Sequence, residues 1–269
     1  MNSPALVTVL GARGSVPVCG KEFAHYGGAT TCVMVRLAGQ VVVLDAGTGL
    51  LDLPRVLLPE ERTIPVLLTH PHVDHLMGLT MGPMLLRPDS EMQVYAVTRN
   101  GIDAEGQVRT LMRPPLWPVG PEMLPTKLTF HDLPARMELG PVTVESMEGE
   151  HPGGVTLLCL SGQGKRVVFR TDCILSPQER PRLLEFARDC DLLLCDGQYN
   201  PREWEEKAGF GHNTWMDVAR FGLECGAKQV RVIHHDPTHT DVELDEAAEA
   251  VAEIHPGCTF AWAREEVTL

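Results

Sequence analysis

The segment Thr69-His70-Pro71-His72-Val73-Asp74-His75 constrains this chain more than any other. It follows an apolar run, Ile64-Pro65-Val66-Leu67-Leu68, that reads as a strand, and it precedes the helix-like Leu76-Met77-Gly78-Leu79. A strand ending in three histidines and a carboxylate within six residues gathers imidazole nitrogens and a carboxylate oxygen at one rim. Those are the ligand types that a divalent transition metal prefers. Only 11 of the 269 residues are His, so a chance cluster explains the run poorly. In an extended segment His70 and His72 point the same way, whereas Asp74 and His75 fall where the chain turns and face a second ion. One motif thereby splits its ligands between two metals.

The rest of the chain is that of a globular protein with a sizeable core. Hydrophobic residues make up 43% and charged residues 22%, and no apolar run approaches the ~20 residues needed to span a bilayer. No Ser/Gly/Pro linker or internal repeat offers a boundary, so a single domain over residues 1–269 is expected. The start, Met1-Asn2-Ser3-Pro4-Ala5-Leu6-Val7, has neither a basic residue nor a long apolar stretch and reads as the lead-in to a strand, which makes the cytoplasm the default location. The eight cysteines, Cys19, Cys32, Cys159, Cys173, Cys190, Cys195, Cys225 and Cys258, form no CxxC pair and read as reduced, mostly core residues. A formal charge of −13 argues against a broad nucleic-acid footprint, because affinity for phosphate backbones comes mostly from Lys and Arg.

Leu6 to Leu10 reads as a strand broken by the glycine loop Gly11-Ala12-Arg13-Gly14-Ser15-Val16-Pro17. Arg13 and Ser15 carry donors suited to a phosphate, or the loop is merely a turn that needs Gly14. Cys32 to Leu37 and Val41 to Leu44 read as a hairpin over Ala38-Gly39-Gln40. Asp45, at a strand end, either hydrogen-bonds a ligating histidine or caps a helix from Leu50 to Leu57. From Gly82 to Asp132 prolines interrupt the chain around a strand, Met92 to Val97, and a helix, Ile102 to Leu111. Ordered proline-rich loops often wall a site, so the segment from Pro114 to Pro125 is expected to line the pocket. Leu116 and Trp117 then sit over the substrate or anchor the packing.

Strands at Thr126 to Phe130 and Val142 to Ser146 lead to Met147-Glu148-Gly149-Glu150-His151-Pro152-Gly153-Gly154, where a rigid turn holds His151 as a third ligand for the first metal. Val155 to Leu160 and Arg166 to Arg170 form a hairpin over Gly162-Gln163-Gly164, ending in Thr171-Asp172-Cys173. A carboxylate has two oxygens and bridges two cations, which suits Asp172. The alternative for Asp172 is a cap on the helix from Pro177 to Asp189. A strand from Asp191 to Cys195 is followed by Asp196 and Tyr199, both candidates for the rim of the site. His212 stands before a helix from Trp215 to Cys225, with Asn213 or Thr214 as its cap. Helix N-termini disfavour cations, so the imidazole is neutral unless a carboxylate or phosphate supports its proton. Val230 to Ile233 ends in His234-His235-Asp236-Pro237-Thr238-His239, and the amphipathic stretch Val242 to Ile254 and a strand from Cys258 to Trp262 close the chain.

The run His70-x-His72-x-Asp74-His75 resembles the dinuclear signature of the metallo-β-lactamase superfamily. Gly11-x-Arg13-Gly14-Ser15, Tyr26-Gly27-Gly28-x-Thr30 and Leu44-Asp45-Ala46-Gly47-Thr48-Gly49 narrow the resemblance to its ribonuclease Z-like and PhnP-like phosphodiesterase branch, with Ala29 standing where Asn is expected. The resemblance implies an α/β fold, a four-layer αββα sandwich of two mixed β-sheets flanked by helices. It assigns His70, His72 and His151 to one metal and Asp74, His75 and His234 to the other, with Asp172 and a hydroxide bridging. Gly211-His212-Asn213-Thr214 is similar to the Gly-His-Ser-Thr motif of that branch, whose His is catalytic, so His212 joins Asp74 as a catalytic residue, while His235, Asp236 and His239 either support the ligands or are structural.

The expectation is a dinuclear metal hydrolase acting on a small or cyclic phosphodiester. Zinc is the first choice for this N/O ligand set, and manganese or iron also fit. The rivals are a ribonuclease Z-type tRNA 3′ endonuclease, a thioester or lactone hydrolase, and a non-catalytic metal-binding scaffold. The tRNA-cleaving members that the resemblance brings in carry a protruding arm between the third metal motif and the bridging Asp. Here His151 and Asp172 are 21 positions apart, which the hairpin nearly fills. No membrane partner is expected, bulk nucleic acid is disfavoured, and a homodimer is left open.

Overall fold

The computed structural model describes residues 4–269, so Met1-Asn2-Ser3 of the expected lead-in lies outside the described residues. The first half of the chain builds β1 (Leu6–Gly11), β2 (Cys32–Leu37), β3 (Gln40–Leu44), β4 (Thr63–Leu68), α1 (Val73–Leu76), β5 (Glu91–Ala96), α2 (Ala104–Leu111) and β6 (Lys127–Asp132). The second half builds β7 (Arg136–Leu139), β8 (Val142–Gly149), β9 (Val155–Gly162), β10 (Lys165–Arg170), α3 (Arg180–Ala187), β11 (Leu192–Asp196), α4 (Trp204–Lys207), α5 (Trp215–Cys225), β12 (Gln229–Ile233), α6 (Asp241–Ile254), β13 (Cys258–Phe260) and β14 (Glu265–Thr268). These strands form two seven-stranded sheets, ordered β14-β1-β2-β3-β4-β5-β6 and β13-β12-β11-β10-β9-β8-β7. Both are mixed. Antiparallel pairing from β14 to β3 gives way to parallel pairing from β3 to β6, and antiparallel pairing from β7 to β10 gives way to parallel pairing from β10 to β13.

The strand sequences explain the layering. Val33, Val35, Val42, Leu44 and Leu67 of one sheet pack against Val144, Leu158, Leu160, Val167 and Leu194 of the other, forming the core between the sheets. The alternate residues Met34, Val41, Val43, Val66 and Leu68 face the opposite way, onto a second core with Leu50, Leu79 and Val108. Cys159, Val168, Leu193 and Val232 likewise meet Leu183, Val218, Phe221 and Leu244 in a third. Strands apolar on both faces must be covered on both faces, and the result is an αββα sandwich.

Local signals set most boundaries. Ala38 and Gly39, at φ 49° and 80°, make the two-residue turn of the β2–β3 hairpin. Thr214 accepts a hydrogen bond from the Asp217 amide at 3.1 Å to start α5, and left-handed Gly226 ends it. Thr240 and Glu243 form a capping box at α6. The expected helix from Leu50 to Leu57 is instead a 3-10 segment, Thr48–Arg55, which contains Pro54. Asp172 lies well before α3 and caps nothing there. The chain closes not with β13 but with β14, which returns to pair antiparallel with β1. That strand carries the buried Glu265, whose carboxylate accepts from the Arg231 Nε–H at 2.5 Å. Two acidic residues in four masked it as a strand in the sequence.

Candidate metal centre

Seven strand ends converge on one edge of the sandwich. Ser15 follows β1, Asp45 follows β3, His70 to His75 follow β4, His151 follows β8, Asp172 follows β10, Asp196 ends β11, and His234 follows β12. Ligand sites in sheets of this kind form beyond the carboxyl ends of the parallel strands. Four of these residues, Ser15, Asp45, Asp172 and His234, adopt positive φ values of 63°, 56°, 49° and 63°. Non-glycine residues avoid that region, and such strain gathers where surrounding structure fixes a functional group.

Two separate ligand clusters and one overlapping group result. His70, His72, His151 and Asp172 form the first cluster, Asp74, His75 and His234 form the second, and Asp172, His212 and His234 form a group that overlaps both. In the first, His72 Nδ1 lies 2.9 Å from His70 Nε2 and 3.3 Å from His151 Nε2. Asp172 faces both clusters with different oxygens. Its Oδ2 is 3.7 Å from His70 Nε2 and from His151 Nε2, while its Oδ1 is 3.4 Å from His75 Nε2 and 3.3 Å from His234 Nε2. Asp74 Oδ2 completes the second cluster, 3.3 Å from His75 Nε2 and 3.1 Å from His234 Nε2.

The outer hydrogen bonds fit these residues to cations. His75 Nδ1 lies 2.7 Å from Asp45 Oδ2, His151 Nδ1 lies 3.1 Å from the Gly211 carbonyl, and His234 Nδ1 lies 3.2 Å from Gln198 Oε1. His70 Nδ1 lies 3.0 Å from Thr69 Oγ1, whose own hydrogen goes to Asp45. Each partner accepts an Nδ1–H, which leaves Nε2 as a lone pair aimed inward. His75 Nε2 is buried without a hydrogen-bond partner, as an imidazole nitrogen meant for a metal should be. Burial, with the neighbouring His75 charge, holds His70 well below the usual histidine range, and burial lowers His72 and His151 despite the Asp172 carboxylate. His75 goes the other way. Burial opposes its charged form, but Asp74, Asp172 and Asp45 outweigh it and draw a proton to the position that a cation takes. The N/O donor set suits zinc, manganese or iron.

Asp45 is therefore the partner of a histidine and not a helix cap. It also accepts the Thr69 amide at 2.8 Å. Gly14 is needed because a Cβ there would sit 2.4 Å from His234 Nδ1. Arg13 does not face the site. It is fully buried and donates to the carbonyls of Gly27, Asp236 and His239 at 2.9, 3.1 and 2.7 Å. His235 Nε2–H donates to the Ala261 carbonyl at 2.8 Å, and His239 Nε2 pairs with Glu203 at 2.9 Å, so both are structural.

His212 lies over this centre, its ring stacked on that of His234 at 4.9 Å between centroids. Its Nδ1 is 3.1 Å from Asp196 Oδ2. Burial opposes protonation, yet Asp196, with Asp172 and Asp74 behind it, pushes His212 up to about 9. The carboxylate that the histidine needed is thus Asp196, which the sequence offered only as a rim residue. Thr214 is the cap, and Asn213 instead ties the loops together, accepting from the Leu175 amide at 2.7 Å and donating to the Cys173 carbonyl at 2.7 Å.

The pocket above the centre holds about 640 Å³ and is lined by Ser15, Gln198, Tyr199, Lys207, Phe210 and Pro237 beside the metal-cluster residues. The expected wall from Pro114 to Pro125 is not there. Trp117 packs into the outer core of the first sheet, and Leu116 is exposed, away from the pocket. The wall comes from the β11–α5 connection, because β11 ends at the centre and β6, which follows the prolines, is at the far edge of its sheet. Lys207, Phe210 and Gln198 carried no motif in the sequence that marked them.

Comparison with known proteins agrees with this architecture. The family described as Beta-lactamase superfamily domain matches residues 40–260. A ribonuclease Z of Lachnoclostridium phytofermentans is 25% identical over 317 aligned positions, covering 98% of this chain and 97% of that protein. The crystal structure of the metallo-beta-lactamase fold protein YhfI from Bacillus subtilis superposes with a TM-score of 0.74 at 18% identity, covering 99% of each chain. A diphosphatase from the PhnP family superposes with a TM-score of 0.70 at 17% identity, over 100% of this chain and 98% of its own.

Proposed function

This chain belongs to the beta-lactamase superfamily, in its ribonuclease Z and PhnP branch, and is a metal-dependent hydrolase; from that premise we propose that it is a dinuclear phosphodiesterase for small or cyclic phosphodiesters. The observation that carries the proposal is the division of Asp172, one oxygen toward His70 and His151 and the other toward His75 and His234. The residues of these clusters would hold two divalent cations, whose chemistry there would be to make a water more acidic and to neutralise charge developing at phosphorus.

The chain's own residues do the rest. Asp45, Thr69, Gln198 and the Gly211 carbonyl hold the histidines in the tautomer that donates. Ser15 fixes Asp74 through a 2.8 Å bond from its amide to Oδ2. His212, protonated with the support of Asp196, stands beside Asp172 and His234 and gives its proton to the leaving oxygen. A 3.1 Å bond between two buried groups keeps that acid aimed into the pocket.

Substrate size is read from what surrounds the centre. Between His151 and Asp172 the chain is taken up by β9 and β10, joined through Gln163 and Gly164. No arm leaves the body there. The alignment with the ribonuclease Z of L. phytofermentans spreads over 317 positions against 269 residues here, so that protein carries length which this chain lacks. A formal charge of −13 works against gripping a long polyanion. Cleavage of tRNA is the second reading, favoured by the near-complete coverage of that same relative. Competition decides between them. With one zinc-loaded preparation, kcat/KM is measured on a cyclic nucleotide, an aryl phosphodiester and a 3′-extended tRNA. Turnover of a small diester ahead of the tRNA is expected, and site-specific tRNA cleavage exceeding every small diester overturns the proposal.

A further inference from the structure

The β11–α5 connection carries a side chain that the chemistry above does not use. Phe210 is 63% exposed, lines the pocket, and lies two residues before His212. Gly211 between them sits at φ 91°, and a Cβ there would fall 2.6 Å from both His151 Nδ1 and Pro152 Cδ. The backbone is thus pressed against the His151–Pro152 turn, and Phe210 and Pro152 both line the pocket that His212 faces. An exposed phenylalanine at a polar metal site needs a reason, since leaving apolar surface in water carries a cost that burial in the neighbouring core would remove.

We propose that Phe210, with Pro152, selects substrates whose leaving group is an uncharged aromatic body. The inference rests on the phosphodiesterase reading above. The proton of His212 goes to the leaving oxygen, so the group attached to that oxygen lies on the side of the pocket formed by the β11–α5 connection, which carries both His212 and Phe210. A flat ring there stacks on the phenyl face, an arrangement that tolerates many aromatic groups because each has a π-face.

Charge in the pocket sets the second half of the specificity. Lys207 is the one lysine or arginine among the described residues that line it. It is already engaged, 3.1 Å from Asp236 Oδ2, 3.6 Å from Glu203 Oε1 and 4.8 Å from the centroid of Tyr199. A leaving group with its own negative charge meets the Asp236 carboxylate and a lysine already paired with Asp236 and Glu203, while the proton of His212 is committed to the leaving oxygen. An uncharged aromatic one meets Phe210 and Pro152.

The probes are methyl phenylphosphonate, methyl methylphosphonate and methyl 4-carboxyphenylphosphonate, in which a P–C bond that hydrolysis does not cleave stands where the leaving oxygen would be, titrated calorimetrically into the zinc-loaded protein. Hydrolysis of methyl phenyl phosphate is followed in parallel. The phenyl ligand is expected to bind about tenfold tighter than the methyl one, the scale of one aromatic stack, and tighter than the carboxyphenyl one. Phe210→Ala is expected to erase the phenyl preference, and Phe210→Trp to restore it. A preference unchanged in Phe210→Ala, or tighter binding of the carboxyphenyl ligand, overturns the inference. If the phenyl preference depends on Phe210 while the phosphate diester is not hydrolysed, the phosphodiesterase reading fails and the recognition surface stands.

Discussion

Asp45 Oδ2 lies 2.7 Å from His75 Nδ1, with both side chains fully buried and 30 residues apart in the chain. The same carboxylate accepts the amide and hydroxyl of Thr69, so it fixes the start of the metal-binding segment and one of its histidines together. Asp45→Asn keeps the shape but replaces one carboxylate oxygen by a donor. Affinity for the second cation is expected to fall by roughly 10- to 100-fold, as for other partners of metal-bound histidines. Metal titration monitored by calorimetry checks this, and an unchanged second affinity refutes it.

Asp172→Ala removes the only carboxylate among the described residues that faces both clusters. Both ions are expected to weaken together, whereas His234→Ala should weaken one. Elemental analysis of protein kept from chelators reads the stoichiometry, with two ions expected in the unaltered chain. One ion or none in that chain contradicts the dinuclear assignment.

His212→Ala should lower kcat by about 10²- to 10⁴-fold, the usual contribution of a general acid, with metal content near that of the unaltered protein. The acid is active only while protonated, so activity declines as pH rises through the His212 pKa. Burial works against that proton and Asp196 supports it, up to about 9, while two cations nearby work against it. The decline in the loaded enzyme is therefore expected below pH 9, and Asp196→Asn should move it to still lower pH. A pH–rate profile of both variants tests this, and a metal loss in His212→Ala matching the activity loss would mean that His212 is a ligand.

Arg13→Ala is expected to act on stability. The guanidinium bonds three carbonyls of two distant segments, and burying these acceptors unpaired costs about 3 kcal/mol. Urea unfolding of the zinc-loaded protein measures the difference. A stable variant with a raised KM for phosphodiesters would restore the substrate-facing role.

The sequence by itself determined the parts written in consecutive residues. Ligand types after β4, the β2–β3 turn, the bounds of α5 and the alternating two-faced strands follow from neighbours a few positions apart, through turn geometry, capping and periodicity. Only the tertiary structure decided what each candidate faces. Asp45, Asp196 and Arg13 are a polar residue at a strand end, another at a strand end, and a cation in a glycine loop. Their roles diverge because parallel pairing of β3 with β4 brings His75 and Asp45 together across 30 residues, and stacking the two sheets brings His234 and Asp74 together across 160. The pocket wall followed the same logic. Prolines marked a segment that ends at a sheet edge, whereas the unmarked residues Lys207 and Phe210 sit on the connection leaving β11, a strand inside the sheet, whose carboxyl end meets the ligand clusters.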